Sequence, residues 1–324
     1  MLSHRLAFAC VCTLPPVMAT APAIAAAYPT KAVRIVVTAA PGGGNDFVAR
    51  VIAGALQPGL GQSLVIDNRG GAGGTIATEL VARAAPDGYT LLMCFVNFSI
   101  YPGLYRKLGF DPVADFAPIS TVAGTPLILV VHPSLPAKSV RELVAFAKSR
   151  PGHLNYASTG AGSLGHLAAE LFKVTAGTDM THVSYKGGGP AVTALLSNEV
   201  QLYFSTMPAA LPLVRAGRLR ALAVSGSRRA AIDPNLPTIA EAGVPGYDVI
   251  GWFGLLAPAA TAPSVVERLN VEVNRVLKLA EVRERLATEG VEPLGNTPGE
   301  FRQLIRAEIN RWSAVVKNSG IKAE

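Results

Sequence analysis

Two kinds of pattern in the 324-residue chain could do chemistry: a serine in a strand-to-helix turn, and glycine runs placed ahead of helices. Ala161-Gly162-Ser163-Leu164-Gly165 lies one residue from the G-x-S-x-G turn that presents a nucleophile. Such a serine needs a histidine base, itself oriented by an acid. The five histidines are His4, His132, His153, His166 and His182, and only the last two follow Ser163. His182, three residues after Asp179, reads as a core or edge histidine, and His166 reads as packing on or capping the loop from the first turn of the next helix. A serine hydrolase using Ser163 therefore stands as the enzymatic alternative, with its partners missing. Neither H-E-x-x-H nor paired-cysteine spacing occurs, so no metal and no cofactor is expected. Gly42-Gly43-Gly44-Asn45-Asp46-Phe47 is not G-x-G-x-x-G, and Lys186-Gly187-Gly188-Gly189 lacks the trailing Lys-Ser/Thr of a phosphate loop.

The glycine runs point to binding. Val33 to Thr38 is an apolar, β-branched strand; Gly42, Gly43 and Gly44 let backbone N–H groups face outward, and Asn45 or Asp46 can cap the following helix. Open N–H groups at a helix start, carrying about half a positive charge, suit a carboxylate or phosphate. The pattern returns at Ser158-Thr159-Gly160-Ala161-Gly162-Ser163, at Lys186-Gly187-Gly188-Gly189 and at Ser205-Thr206, each after a predicted strand. In doubly wound sheets that edge is where ligands sit. Lys186 borders its glycine loop and could meet an anion. The run Asn68 to Thr75 reads as a turn needing positive φ, with a second cleft loop as its alternative reading. Phe95 to Pro102 reads as a loop whose Asn97 and Ser99, set among aromatics, make a ligand wall.

These loops need a scaffold, and the chain supplies strand–loop–helix units on either side of two crossings. The apolar run ending at Val131 leaves a first domain, and Tyr247 to Ala257 returns to it. The expectation is two doubly wound α/β lobes with a cleft between them: residues 28–125 plus 250–324, and residues 126–249. Ser139 with Glu142, and Thr297 with Glu300, predict capping boxes. The last helix, through Trp312 and Val316, is amphipathic and should pack on the first domain.

Composition narrows the function further. Arg5, the apolar run Leu6 to Leu14 and the small residues Ala25 to Ala27 read as an export signal over 1–27, cleaved after Ala27. Cys10 and Cys12 fall within it, so Cys94 alone remains and no internal disulfide is expected. A periplasmic location suits a large exported chain without bridges. The net charge of +7 favours anionic ligands, while dispersed Lys and Arg with 6% aromatic residues argue against nucleic acid.

Together, Tyr28-Pro29, Pro41-Gly42-Gly43-Gly44-x-Asp46, Asn68-Arg69-x-Gly71-Ala72-Gly73-Gly74, Ala85 to Thr90, Leu154-Asn155-Tyr156, Gly165-His166-Leu167, Tyr185-Lys186-Gly187, Gly217 to Val224 and Trp252 to Pro258 resemble the Bug family. These are extracytoplasmic solute receptors of the tripartite tricarboxylate transporter type, and the resemblance spans nearly all the chain after residue 27. It implies a type II-like periplasmic-binding-protein fold that closes on a small carboxylate, held by backbone donors and bridging waters, and delivery to a membrane permease. The same lobes could instead serve a ligand-sensing receptor with a signalling partner. Carried over residue by residue, the ligand falls to Gly42, Gly43, Gly44, Asn45 and Asp46, to Asn97 and Ser99, and across the cleft to Ser158, Thr159, Gly160, Ser163 and His166, Lys186, Gly187 and Gly188, and Ser205 and Thr206. The chain departs from the family pattern at Ala39-Ala40, at Asn45 and at Ser205-Thr206-Met207, where a frequent carboxylate is missing. A mono- or dicarboxylate, captured by a monomer, is expected over an amine.

Overall fold

A computed structural model of the chain describes residues 28–105 and 107–319. The expected export signal and its cleavage point lie outside the described residues.

The first strand, β1 (Val33–Val37), has Val33, Ile35, Val36 and Val37 fully buried, as a central parallel strand covered on both faces requires. It runs through the glycine loop into α1 (Gly44–Leu60), then β2 (Leu64–Asn68), a short 3-10 turn at Ala72–Gly74, α2 (Thr75–Ala82) and β3 (Thr90–Phe95). β1 pairs in parallel with β2 on one side and β3 on the other. Next come α3 (Asn97–Leu104) and the long strand β4 (Phe116–Val131).

The second half repeats the plan: α4 (Val140–Ser149), β5 (Asn155–Ser158), α5 (Leu164–Ala176), β6 (Thr181–Ser184), α6 (Gly188–Leu196), β7 (Leu202–Thr206), α7 (Met207–Arg215) and β8 (Arg220–Val224). The chain returns through β9 (Ile250–Pro258), α8 (Pro263–Val276), α9 (Ala280–Ala287), β10 (Glu292–Pro293) and α10 (Pro298–Ser319).

β4 joins the two halves. Between Phe116 and Pro126 it lies antiparallel to β9, and between Leu127 and Val131 it lies antiparallel to β7 and β8. The sheet order is β2-β1-β3-β9-β4 in the first lobe and β4-β7-β5-β6 in the second, with β10 and β8 as further partners of β4. Where the partners change, the fully buried Ser225 hydroxyl accepts from the Leu127 N–H at 2.8 Å and donates to the Val249 carbonyl at 2.5 Å. Both crossing segments are thereby tied to the end of β8.

Local signals read from sequence are present. Ser139 accepts from the Glu142 N–H, and Thr297 and Glu300 exchange reciprocal bonds. α10 buries Phe301, Ile305, Trp312 and Val316 and packs on α3 and β4. The segment expected as a loop after β3 is instead the helix α3, despite Pro102 within it. Burial decides this: Phe98 and Tyr101 are enclosed, in edge contact with Phe116 and Phe110, and packing outweighs the lost backbone bond. The two-residue strand β10 had no sequence signal of its own.

Candidate functional site

The C-terminal end of β1 delivers Thr38 to a loop that folds back on α1. Asp46, in the first turn of that helix, accepts the Gly42 N–H at 3.1 Å and the Arg50 guanidinium at 2.9 Å. Burial opposes ionisation of Asp46, but the bonds from Arg50, Gly42 and Asn68 outweigh it and hold the carboxyl below its ordinary range. Asn45 donates to the Thr38 hydroxyl at 2.7 Å. The Gly42 N–H is thus engaged inside the loop, whereas Gly43 supplies no side chain to cap α1. The first N–H groups of α1 are left to whatever enters the cleft.

The 158–163 loop of the second lobe is built differently. Ser163 caps α5 by accepting the His166 N–H at 3.3 Å, and His166 Nδ1 accepts the Gly162 N–H at 3.1 Å. The His166 ring stacks on His182 at 4.1 Å with 11° between planes, and His182 meets the Ser158 hydroxyl at 2.6 Å. Tyr156 extends the stack and donates to Glu170, which also pairs with Lys173 at 2.8 Å. Burial of Glu170 raises its pKa, but Lys173 and Tyr156 more than reverse this and keep it ionised. His166 therefore supports the loop from behind. With Ser163 serving as a helix cap and the His166 ring turned to Gly162 through Nδ1, the geometry lends nothing to the hydrolase alternative.

α6 and α7 complete the cleft. Neither Gly187 nor Thr206, their cap residues, makes a side-chain cap bond. The lobes meet closely here: a Cβ on Gly44 would stand 2.7 Å from Thr206 Oγ1, and one on Gly187 would stand 2.8 Å from the Ala40 N. The uncapped starts of α1, α6 and α7 converge on an interlobe cavity of about 40 Å³. Among the described residues, none lining it carries a formal charge.

Of the residues expected from sequence, Gly43, Gly44, Asn45, Asn97, Thr159, Gly188 and Thr206 line this cavity. Gly42, Asp46, Ser158, Gly160, Ser163, His166 and Gly187 form the loops behind it. Ser99 and Ser205 are fully buried and are not part of the wall, and Lys186 is exposed outside it. Thr38, Leu127, Leu164, Tyr203 and Phe204 line the cavity without having been expected. Tyr203 and Phe204 directly precede the Ser205-Thr206 strand end, so the strand-edge rule extended by two residues would have reached them. The Asn68 to Thr75 run, expected to be a turn with a second cleft loop as the alternative, carries positive φ at Gly71, Gly73 and Gly74 and also abuts the second lobe at Ala161.

The family model described as the tripartite tricarboxylate transporter family receptor, TctC, matches residues 48–321. Protein BugT of Bordetella pertussis is 40% identical over 304 residues, covering 93% of each chain. Among solved structures, R. palustris Rpa4515 with adipate is 41% identical with a TM-score of 0.89, covering 92% of this chain and all of that one. MatC from Rhodopseudomonas palustris, with bound malate, is 35% identical with a TM-score of 0.85, covering 89% of this chain and all of that one. The periplasmic binding protein BugD is 32% identical with a TM-score of 0.89, again covering 92% of this chain and all of that one. Receptors, not enzymes, make up this group. A chain with this cleft, this fold and these relatives belongs to the TctC family of tripartite tricarboxylate transporter receptors, the Bug proteins.

Proposed function

We propose that this receptor captures a small mono- or dicarboxylate in the interlobe cavity, closes on it about β4 and β9, and presents it to a membrane permease of the tripartite tricarboxylate type. The observation that carries this reading is the meeting of three uncapped helix starts, of α1, α6 and α7, at a wall without formal charge. Backbone donors with partial positive charge bind an anion, and a wall without carboxylates offers an ammonium group nothing to pair with. Phe95, Leu127 and Leu164 give the cavity an apolar side on which a short methylene chain could lie. The relatives solved with adipate and with malate are consistent with such ligands.

The lobes divide, on this reading, into residues 28–125 with 250–324 and residues 126–249, where β4 changes partners and β9 begins. The mature chain starts after Ala27 in the periplasm and acts as a monomer. Calorimetric titration of the purified chain with adipate, malate and the diamine cadaverine tests the ligand class. Carboxylate binding without cadaverine binding is expected; tight cadaverine binding with no carboxylate bound would overturn it.

A further inference from the structure

Beside the cavity, the 71–74 turn of the first lobe meets the 160–164 turn of the second. The approach is backbone on backbone: a Cβ on Gly73 would stand 2.6 Å from the Ala161 carbonyl oxygen, and one on Gly160 would stand 2.6 Å from the Gly73 N. Three side chains of the α3 segment work at this seam. Asn97, nearly buried, donates through Nδ2 to the Gly73 carbonyl at 3.2 Å and accepts the Leu164 N–H on Oδ1 at 2.7 Å. The Tyr101 hydroxyl donates to the same Gly73 carbonyl at 2.8 Å, fixing that turn to its own lobe. The Tyr105 hydroxyl reaches across to the Ala161 carbonyl at 3.0 Å.

Leu164 is the first residue of α5, and its N–H is one of the donors a helix start leaves open. Ser163 serves the His166 N–H of that helix, and Asn97 serves this one from the opposite lobe. We propose that Asn97 and Tyr105 form an interlobe latch, in which Asn97 caps α5 across the cleft and both residues set how much of the receptor is closed. The assignment rests on the reading of the chain as a two-lobed receptor. It separates closure from recognition, because Asn97 lines the cavity yet has both ends of its amide engaged by protein. Opening returns these groups to water, so each bond is worth its modest net value, about fivefold in the closed-to-open ratio.

The test uses Val65→Cys and Val174→Cys, exposed positions in β2 and α5, carrying spin labels whose separation reports closure. Cys94 is fully buried, with its thiol pushed up by burial, and stays unlabelled. Separations are measured in the labelled parent, in Tyr105→Phe, in Asn97→Ala and in the double variant, without additive and across an adipate titration, with melting curves to confirm folding. Tyr105→Phe removes a single hydroxyl and carries the test should Asn97→Ala not fold. The expected result is a closed population in the parent without additive, and a closed-to-open ratio about fivefold lower in each single variant, both without adipate and at each adipate concentration. Unchanged separations in the variants, or a parent showing only the open separation, would overturn the latch. So would an Asn97→Ala variant that binds adipate more weakly with its additive-free separation unchanged, which would assign Asn97 to the ligand. Failure of adipate to bind counts against the carboxylate reading alone, since the latch is read without it.

Discussion

The 42–46 loop of the first lobe and the 158–166 segment of the opposite lobe are both strings of small residues between a strand and a helix, yet they are fixed by contrary means. The first is held by a carboxylate of its own helix: Asp46 takes the Gly42 N–H and pairs with Arg50, while the start of α1 carries no side-chain cap. In the 158–166 segment Ser163 takes the His166 N–H and the His166 ring takes the Gly162 N–H, while Asn97 of the first lobe takes the Leu164 N–H. Two of the first three donors of α5, those of Leu164 and His166, thus have protein acceptors, which leaves less for an anion. On the proposed reading, ligand recognition falls to α1, α6 and α7, and bracing and closing fall to the α5 loop.

The largest effect is expected at Gly44. A Cβ there meets Thr206 across the cleft, and overpacking costs up to about 3 kcal/mol. Gly44→Val should weaken adipate binding about 100-fold in calorimetry with the melting curve little changed; unaltered affinity would mean that the lobes need not approach this closely. Ser163→Ala probes the other loop. Losing the α5 cap should cost about 1 kcal/mol in urea unfolding, with adipate affinity changed less than about twofold. A large affinity loss at unchanged stability would erase the distinction between the loops. The smallest effect is that of Asp46. Its folded-state pKa is lowered, so its contribution is complete at neutral pH and is lost as pH falls below about 4 and through the folded value. The stability gap between the natural chain and Asp46→Asn should be flat near neutrality and shrink in acid. It should stay within about 1 kcal/mol, because Arg50 is half exposed. A gap that widens in acid would show that another group braces the loop.

Much of the molecule was legible in the sequence because its signals are local. Apolar β-branched runs mark β1 and β4, capping pairs mark α4 and α10, and glycines after strands mark the cleft edge. Asn97 was legible as a cleft residue from its place after β3, but its role was not: its two partners are Gly73 and Leu164, the latter 67 residues away. The α3 helix was hidden for the same reason, since the rings of Phe110 and Phe116 that enclose it come after it in the chain.

The succession of strand, glycine turn and helix and the two crossings could be read from residues alone, because backbone periodicity and capping depend on neighbours a few positions apart; the family came from the ordered motifs that the chain shares with it. Tertiary structure alone decided which N–H groups remain open. That depends on which acceptors the folded lobes bring within about 3 Å, and such neighbours share no local pattern.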